Sequence, residues 1–136
     1  MTTLEMQSPQ PSRAIVWTGW AMSGFIILFL AFDCAIKLLQ LDMVKTSMTQ
    51  LGYPAGHGLI IGIVETICLV LYVWPRTAIL GAILLTAVYG GAIASHMRLD
   101  DPLFSHVLFG VYLGLLTWGG LYFRDPKLRA LIPLRG

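Results

Sequence analysis

Charge is what this chain has least of. Of its 136 residues 12% are charged and 57% hydrophobic, and the mean hydropathy is +0.76. Ordinary soluble domains carry roughly 25% charged residues. A soluble domain of this length cannot enclose so much apolar surface, so a lipid bilayer is the expected solvent. The net charge of +2, with no basic run that could track phosphates, argues against a nucleic-acid partner. Cysteine is also scarce. Cys34 and Cys68 lie in separate apolar runs and form neither a CxxC nor a metal-binding spacing. They read as two small buried thiols, with an intramembrane redox pair as the alternative. No dinucleotide fingerprint and no haem-attachment motif occurs. The first residues, MTTLEMQSPQPSR, place Glu5 ahead of the first base, unlike the positive start of a secretory signal. The apolar run behind them is too long for a signal core and has no clear A-x-A site, so a retained span is expected.

What the chain has instead is four apolar runs, at residues 14–39, 58–74, 77–97 and 102–123. About 20 apolar residues cross a hydrocarbon core about 30 Å thick. The expected fold class is all-α, a membrane-embedded antiparallel four-helix bundle with short connections. Residues 1–13 are expected to be a disordered cytoplasmic tail and residues 124–136 a basic cytoplasmic tail. Between the first two runs, Leu41, Val44, Met48 and Leu51 recur at helical spacing opposite polar residues. That pattern predicts an interfacial helix over about 41–51. Asp125 followed by Pro126 predicts the capped start of a last short helix. Six bases (Arg13, Arg76, Arg124, Lys127, Arg129, Arg135) fall at the termini and in the 75–76 turn, against three (Lys37, Lys45, Arg98) toward the other side. The positive-inside rule then puts both termini in the cytoplasm, the end that also carries Trp17, Trp20, Trp74 and Trp118. Gly58 and Gly62, Gly110 and Gly114, and the group Gly90, Gly91 and Ala94 mark faces where helices can approach closely.

The polar residues inside the runs sit at similar depth. Counted at 1.5 Å per residue from the outer surface, Asp33 lies roughly 9 Å deep, Glu65 roughly 10 Å, Tyr89 roughly 12 Å and His106 roughly 6 Å. Lys37, His96 and Arg98 lie just above. Asp33 and Lys37 are four apart and can pair. Glu65 shares a helical stripe with Gly58 and Gly62, and His106 shares one with Gly110 and Gly114. An acid within a membrane span must be paired, protonated or wet, which makes Glu65 the leading functional candidate. With His96 and Arg98 it forms the candidate catalytic set, and Asp33, Lys37, Tyr89 and His106 form the candidate binding set. Each has a plain alternative: a structural Asp33–Lys37 ion pair, a snorkelling Lys37, a helix-capping His96, a packing Tyr89, a hydrogen-bonded His106. Asp100 and Asp101 read as solvated loop acids before Pro102. His96 and His106 are too few to define a metal or haem site.

The order FDCAIK, LGYP, GIVE, GGAIASHMRLDDP and RDPKLR resembles the DoxX-like family of small four-span bacterial membrane proteins, over roughly residues 14–130. The matching positions are Asp33, Lys37, Gly52, Tyr53, Pro54, Gly62, Glu65, Gly91, His96 and Arg98. The family is named after a subunit of a thiosulfate–quinone oxidoreductase, and relatives are associated with quinone or thiol stress. The resemblance therefore implies the bacterial cytoplasmic (inner) membrane and, as cofactor or ligand, a quinone or another small apolar molecule. If catalytic, the chain would be a quinone-linked oxidoreductase or its membrane subunit. Two other readings stay open. One is a proton-coupled small-molecule transporter. The other is a non-catalytic assembly factor whose glycine faces, with Gly110 and Gly114 foremost, dock a second copy or another membrane protein.

Overall fold

A computed structural model describes residues 12–132. The tails at 1–11 and 133–136, with Arg135, lie outside the described residues, so the expectation of disorder there falls outside them too. The described chain is helical, with no strand among those residues. Its elements are α1 (Arg13–Leu38), α2 (Asp42–Gln50), α3 (His57–Val73), α4 (Ala78–Arg98), α5 (Phe109–Arg124) and α6 (Pro126–Leu131). A π-helical turn over Leu103–Val107 precedes α5.

Local chemistry sets each boundary. Ser12 Oγ accepts from the backbone N–H of Ile15 at 3.3 Å and starts α1. Gln40, at φ 54°, turns the chain out of α1, and Gly52, at φ 84°, turns it after α2. Trp74 precedes Pro75 and is extended, as that position requires, which ends α3. Asp125 Oδ1 accepts from Lys127 N at 2.9 Å, with Pro126 in the first turn of α6.

Helices α1, α3, α4 and α5 form a closed square. Helix α1 packs on α3 and α5, α4 packs on the same two, and α1 and α4 sit across the diagonal. The core runs along the axis through Ile26, Leu30 and Cys34 of α1, Cys68, Leu69 and Tyr72 of α3, Ala82, Leu85 and Tyr89 of α4, and Leu121 of α5. The outer faces carry exposed Trp17, Phe25, Leu28, Phe32, Ile60, Val70 and Leu115. An apolar exterior of this extent needs hydrocarbon around it. Among the described residues three segments are long and apolar enough to cross a membrane: Arg13–Leu38, Ala78–Arg98 and Leu103–Arg124. Helix α3 has 17 residues, the short end of the spanning range.

Glycines decide how close the helices come. A Cβ on Gly19 would lie 2.8 Å from the Gly120 carbonyl oxygen, and one on Gly120 would collide with Ser23. Helices α1 and α5 therefore touch backbone to backbone. Gly81 stands in the same relation to the backbone of Tyr72, across the α3–α4 turn. Gly58 receives Val44 and Met48, which dock α2. Gly110 packs against Tyr89 and Ile93 inside the bundle, so its face is already used. The expectation for the third run is corrected: Gly90, Gly91 and Ala94 are exposed, and nothing lies within 4 Å of a Cβ added at Gly90 or Gly91.

Candidate functional site: an ion triad between two helices

Glu65 is the ninth of the 17 residues of α3, its midpoint. It lies on the face that also holds buried Gly58, Gly62 and Cys68, and it turns inward to α1. The residue is 2% exposed. Lys37, in the last turn of α1, donates from Nζ to Glu65 Oε2 at 2.8 Å. The same ammonium donates to the carboxylate of Asp33, one turn back on α1. Gly62 makes this reach possible: a Cβ there would lie 2.7 Å from Lys37 Cβ. Bare backbone at that point lets the lysine stem pass along α3 so that its head group reaches Glu65. The side chains of Glu65, Lys37 and Asp33 are 3%, 17% and 28% exposed, so the triad opens outward on the Asp33 side.

One base between two acids leaves a formal charge of −1 when both are ionised. Lys37 has one N–H beyond those given to the two carboxylates. Glu65 Oε1 is buried without a hydrogen-bond partner, the one such side-chain atom among the described residues. Buried polar atoms are normally satisfied, and an exception calls for a reason. The triad therefore presents one spare donor and one unpartnered acceptor side by side.

Of the other expected site residues, His96, Arg98 and His106 form a second group at the end of the bundle that carries α2, here the far end. His96 Nδ1 donates to Asp101 Oδ2 at 2.6 Å, and the His96 and His106 rings meet edge to face at 5.6 Å. His106 Nδ1 pairs with Ser105 Oγ at 2.7 Å. Arg98 donates to the Leu51 carbonyl at 2.6 Å, beside Gly52. Tyr53 donates to Ser95 Oγ at 2.8 Å, since Ser95 gives its own hydrogen to the Gly91 carbonyl. These contacts pin the LGYP loop to the last turn of α4. Among the described residues no hydrogen bond or ion pair joins this group to the triad. No set of three or more His, Cys, Asp or Glu among them is placed to hold a metal ion.

The profile of the DoxX-like family matches residues 21–120, most of the chain and every residue named so far in this site. The protein belongs to the DoxX-like family. Curated proteins yield no match to it, and neither do solved structures.

Sequence reasoning about this DoxX-like protein passed over a third polar group. Tyr89 does not join the triad by a hydrogen bond; it donates to Thr117 Oγ1 at 2.9 Å, and Thr117 donates to the Leu113 carbonyl. Tyr72 donates to the Thr117 carbonyl at 2.8 Å and accepts from Ser23 Oγ at 2.9 Å. Ser23 in turn accepts from Arg124 Nε at 3.1 Å. Arg124 also stacks over Trp20, 4.5 Å from the ring centroid. Every hydroxyl hydrogen in this network ends on a backbone carbonyl or on the next hydroxyl toward one. The network ties α1, α3, α4 and α5 together, but its two branches meet only through the backbone of Thr117. Hydroxyls of this kind carry little signal in sequence, because Ser and Thr in apolar helices commonly bond their own backbone.

Two further assignments change. Asp101 is no free loop acid but the partner of His96. His106 leaves the stripe of Gly110 and is exposed, because the intervening turn closes with wider i→i+5 bonds, Val107 N to Pro102 O and Leu108 N to Leu103 O.

Proposed function

We propose that this DoxX-like membrane protein binds a small apolar molecule with an oxygen-bearing head of the quinone type, taken from the bilayer beside α1 and α3. The observation that carries the reading is the buried Glu65 carboxylate with one oxygen held by Lys37 and the other unpartnered. In this reading the spare Lys37 N–H donates to a ligand oxygen, and Glu65 Oε1 accepts a ligand hydroxyl. Asp33 holds the ammonium in place. A quinone head supplies two-electron, two-proton redox chemistry when bound, and Glu65 is the group placed to hold or release a proton beside it. Arg98 and Tyr89, whose donors go to Leu51 and Thr117, serve architecture here. We propose the bacterial cytoplasmic membrane as its location, with both termini inside; the excess of bases at the end carrying Arg13, Arg76 and Arg124 supports that orientation.

The test is a titration of the purified protein in nanodiscs with a series of quinones and quinols. Saturable binding that weakens about tenfold or more in Glu65→Gln supports the reading, the scale of a hydrogen bond to a charged group. Binding that never saturates, or that is the same in Glu65→Gln, rejects it. Proton-coupled transport has less support, because the network of Tyr72, Thr117 and Tyr89 directs its hydrogens into backbone carbonyls rather than along a path. A docking role is favoured by one specific feature, the open space at Gly90 and Gly91. Leucine at both positions abolishing co-purification of a membrane partner, with ligand binding intact, would establish it.

A further inference from the structure

The end of the bundle opposite the LGYP loop, here the basic end, holds a cleft that the triad does not explain. It has a volume of about 250 Å³ and is lined by Pro75, Ala78, Leu121, Arg124, Asp125 and Lys127. Ala78 and Leu121 are buried and give it an apolar floor. Arg124 stands at its side already oriented: Nε is bonded to Ser23, and the guanidinium lies on the Trp20 ring. Neither of its terminal amino groups has a hydrogen bond among the described residues. The ammonium of Lys127 likewise has no partner among them, while its backbone N–H is bonded to Asp125 Oδ1 at 2.9 Å.

We infer that this cleft binds the phosphodiester of an anionic lipid headgroup. The planar fork of Arg124 is preorganised for two phosphate oxygens, and Lys127 adds a mobile point charge. The depth is right for a headgroup. The cleft lies where α3 turns into α4 and where α5 ends, and Arg124 at its side meets Trp20 and Ser23 in the first half of α1. Trp17, Trp20 and Trp74 are exposed at the same end, as interfacial tryptophans are. Basic pockets between membrane helices recognise lipid phosphates on electrostatic grounds. Asp125 sharpens the choice: its carboxylate in the cleft opposes a doubly charged phosphate and tolerates a singly charged diester. Pro75, Ala78 and Leu121 then face the glycerol and the first carbons of the acyl chains.

The test uses the full-length protein in nanodiscs containing phosphatidylglycerol and phosphatidylcholine, with lipid retention read by native mass spectrometry. Preferential retention of phosphatidylglycerol is expected. Lys127→Gln should weaken it about fivefold, the contribution of one surface base. That side chain makes no internal contact in the network, so folding is not at issue. Arg124→Lys, which keeps the charge and loses the fork, should weaken it as well. Equal retention of the two lipids, or a preference unchanged in both variants, overturns the inference. Displacement of the lipid by inorganic phosphate alone also overturns it, since the ligand would then be a free anion.

Discussion

Lys37 is the residue that joins α1 to α3 through charge. Among the described residues it is the one cation bonded to two carboxylates, one of which is almost fully buried. Removing one partner of a buried ion pair leaves an uncompensated charge and costs about 3–5 kcal/mol. Lys37→Met is expected to lose stability on that scale, measured by denaturant titration in mixed micelles. Glu65→Gln should lose much less, since its amide oxygen still accepts from Lys37. Equal stability of Lys37→Met and the parent protein would show that the triad does not hold the two helices. At this scale the sequence was informative where spacing alone settles a contact. The i, i+4 step from Asp33 to Lys37 allowed their pairing, and the stripe Gly58, Gly62, Glu65 pointed the acid inward. The sequence was silent where a turn decides. Asp101 meets His96 because Asp100 adopts φ 55° and reverses the chain, which composition does not reveal.

At the scale of elements, the glycines separate into those that carry a crossing and those that do not. Gly120 is in backbone contact with α1, and a Cβ would force the helices apart. Gly120→Ala is expected to destabilise by about 1–3 kcal/mol, as overpacking does. Gly90→Ala has open space and should be neutral or gain up to about 1 kcal/mol from helix propensity. Melting temperatures of the two variants in one detergent check both, and a Gly90→Ala variant that melts as low as Gly120→Ala would contradict this packing. Small-residue spacing identified Gly58, Gly62 and Gly110 as contact points but missed Gly19, Gly81 and Gly120. A glycine's role depends on what faces it, and spacing reports only which helix side it occupies. The π-helical turn is a second limit of the same kind. A pattern counted at 3.6 residues per turn predicts one face for His106 and Gly110, and the wider turn at Leu103–Val107 rotates them apart.

For the whole molecule, the distribution of bases predicts which way it sits. A C-terminal green fluorescent protein fusion should fluoresce and a C-terminal alkaline phosphatase fusion should be inactive, with the same result at the N-terminus. The opposite pattern would reverse the orientation and put the cleft of Arg124 and Lys127 outside. The bundle is also asymmetric along its axis. Polar contacts at the far end pin a loop and a turn, the Tyr72–Thr117 network joins four helices, and between them the triad places ionisable groups beside the centre of α3.

Hydropathy belongs to each residue separately and adds along the chain. The solvent, the helical class, the four apolar runs and the family resemblance therefore follow from the residues in order, before any contact is known. Hydrogen-bond partners belong to pairs, and they depend on the azimuth of each helix and on the backbone of each turn. That Lys37 reaches Glu65 past Gly62, that Tyr89 turns to Thr117, and that His96 closes on Asp101 rather than on the acid in α3 emerge once the helices are packed.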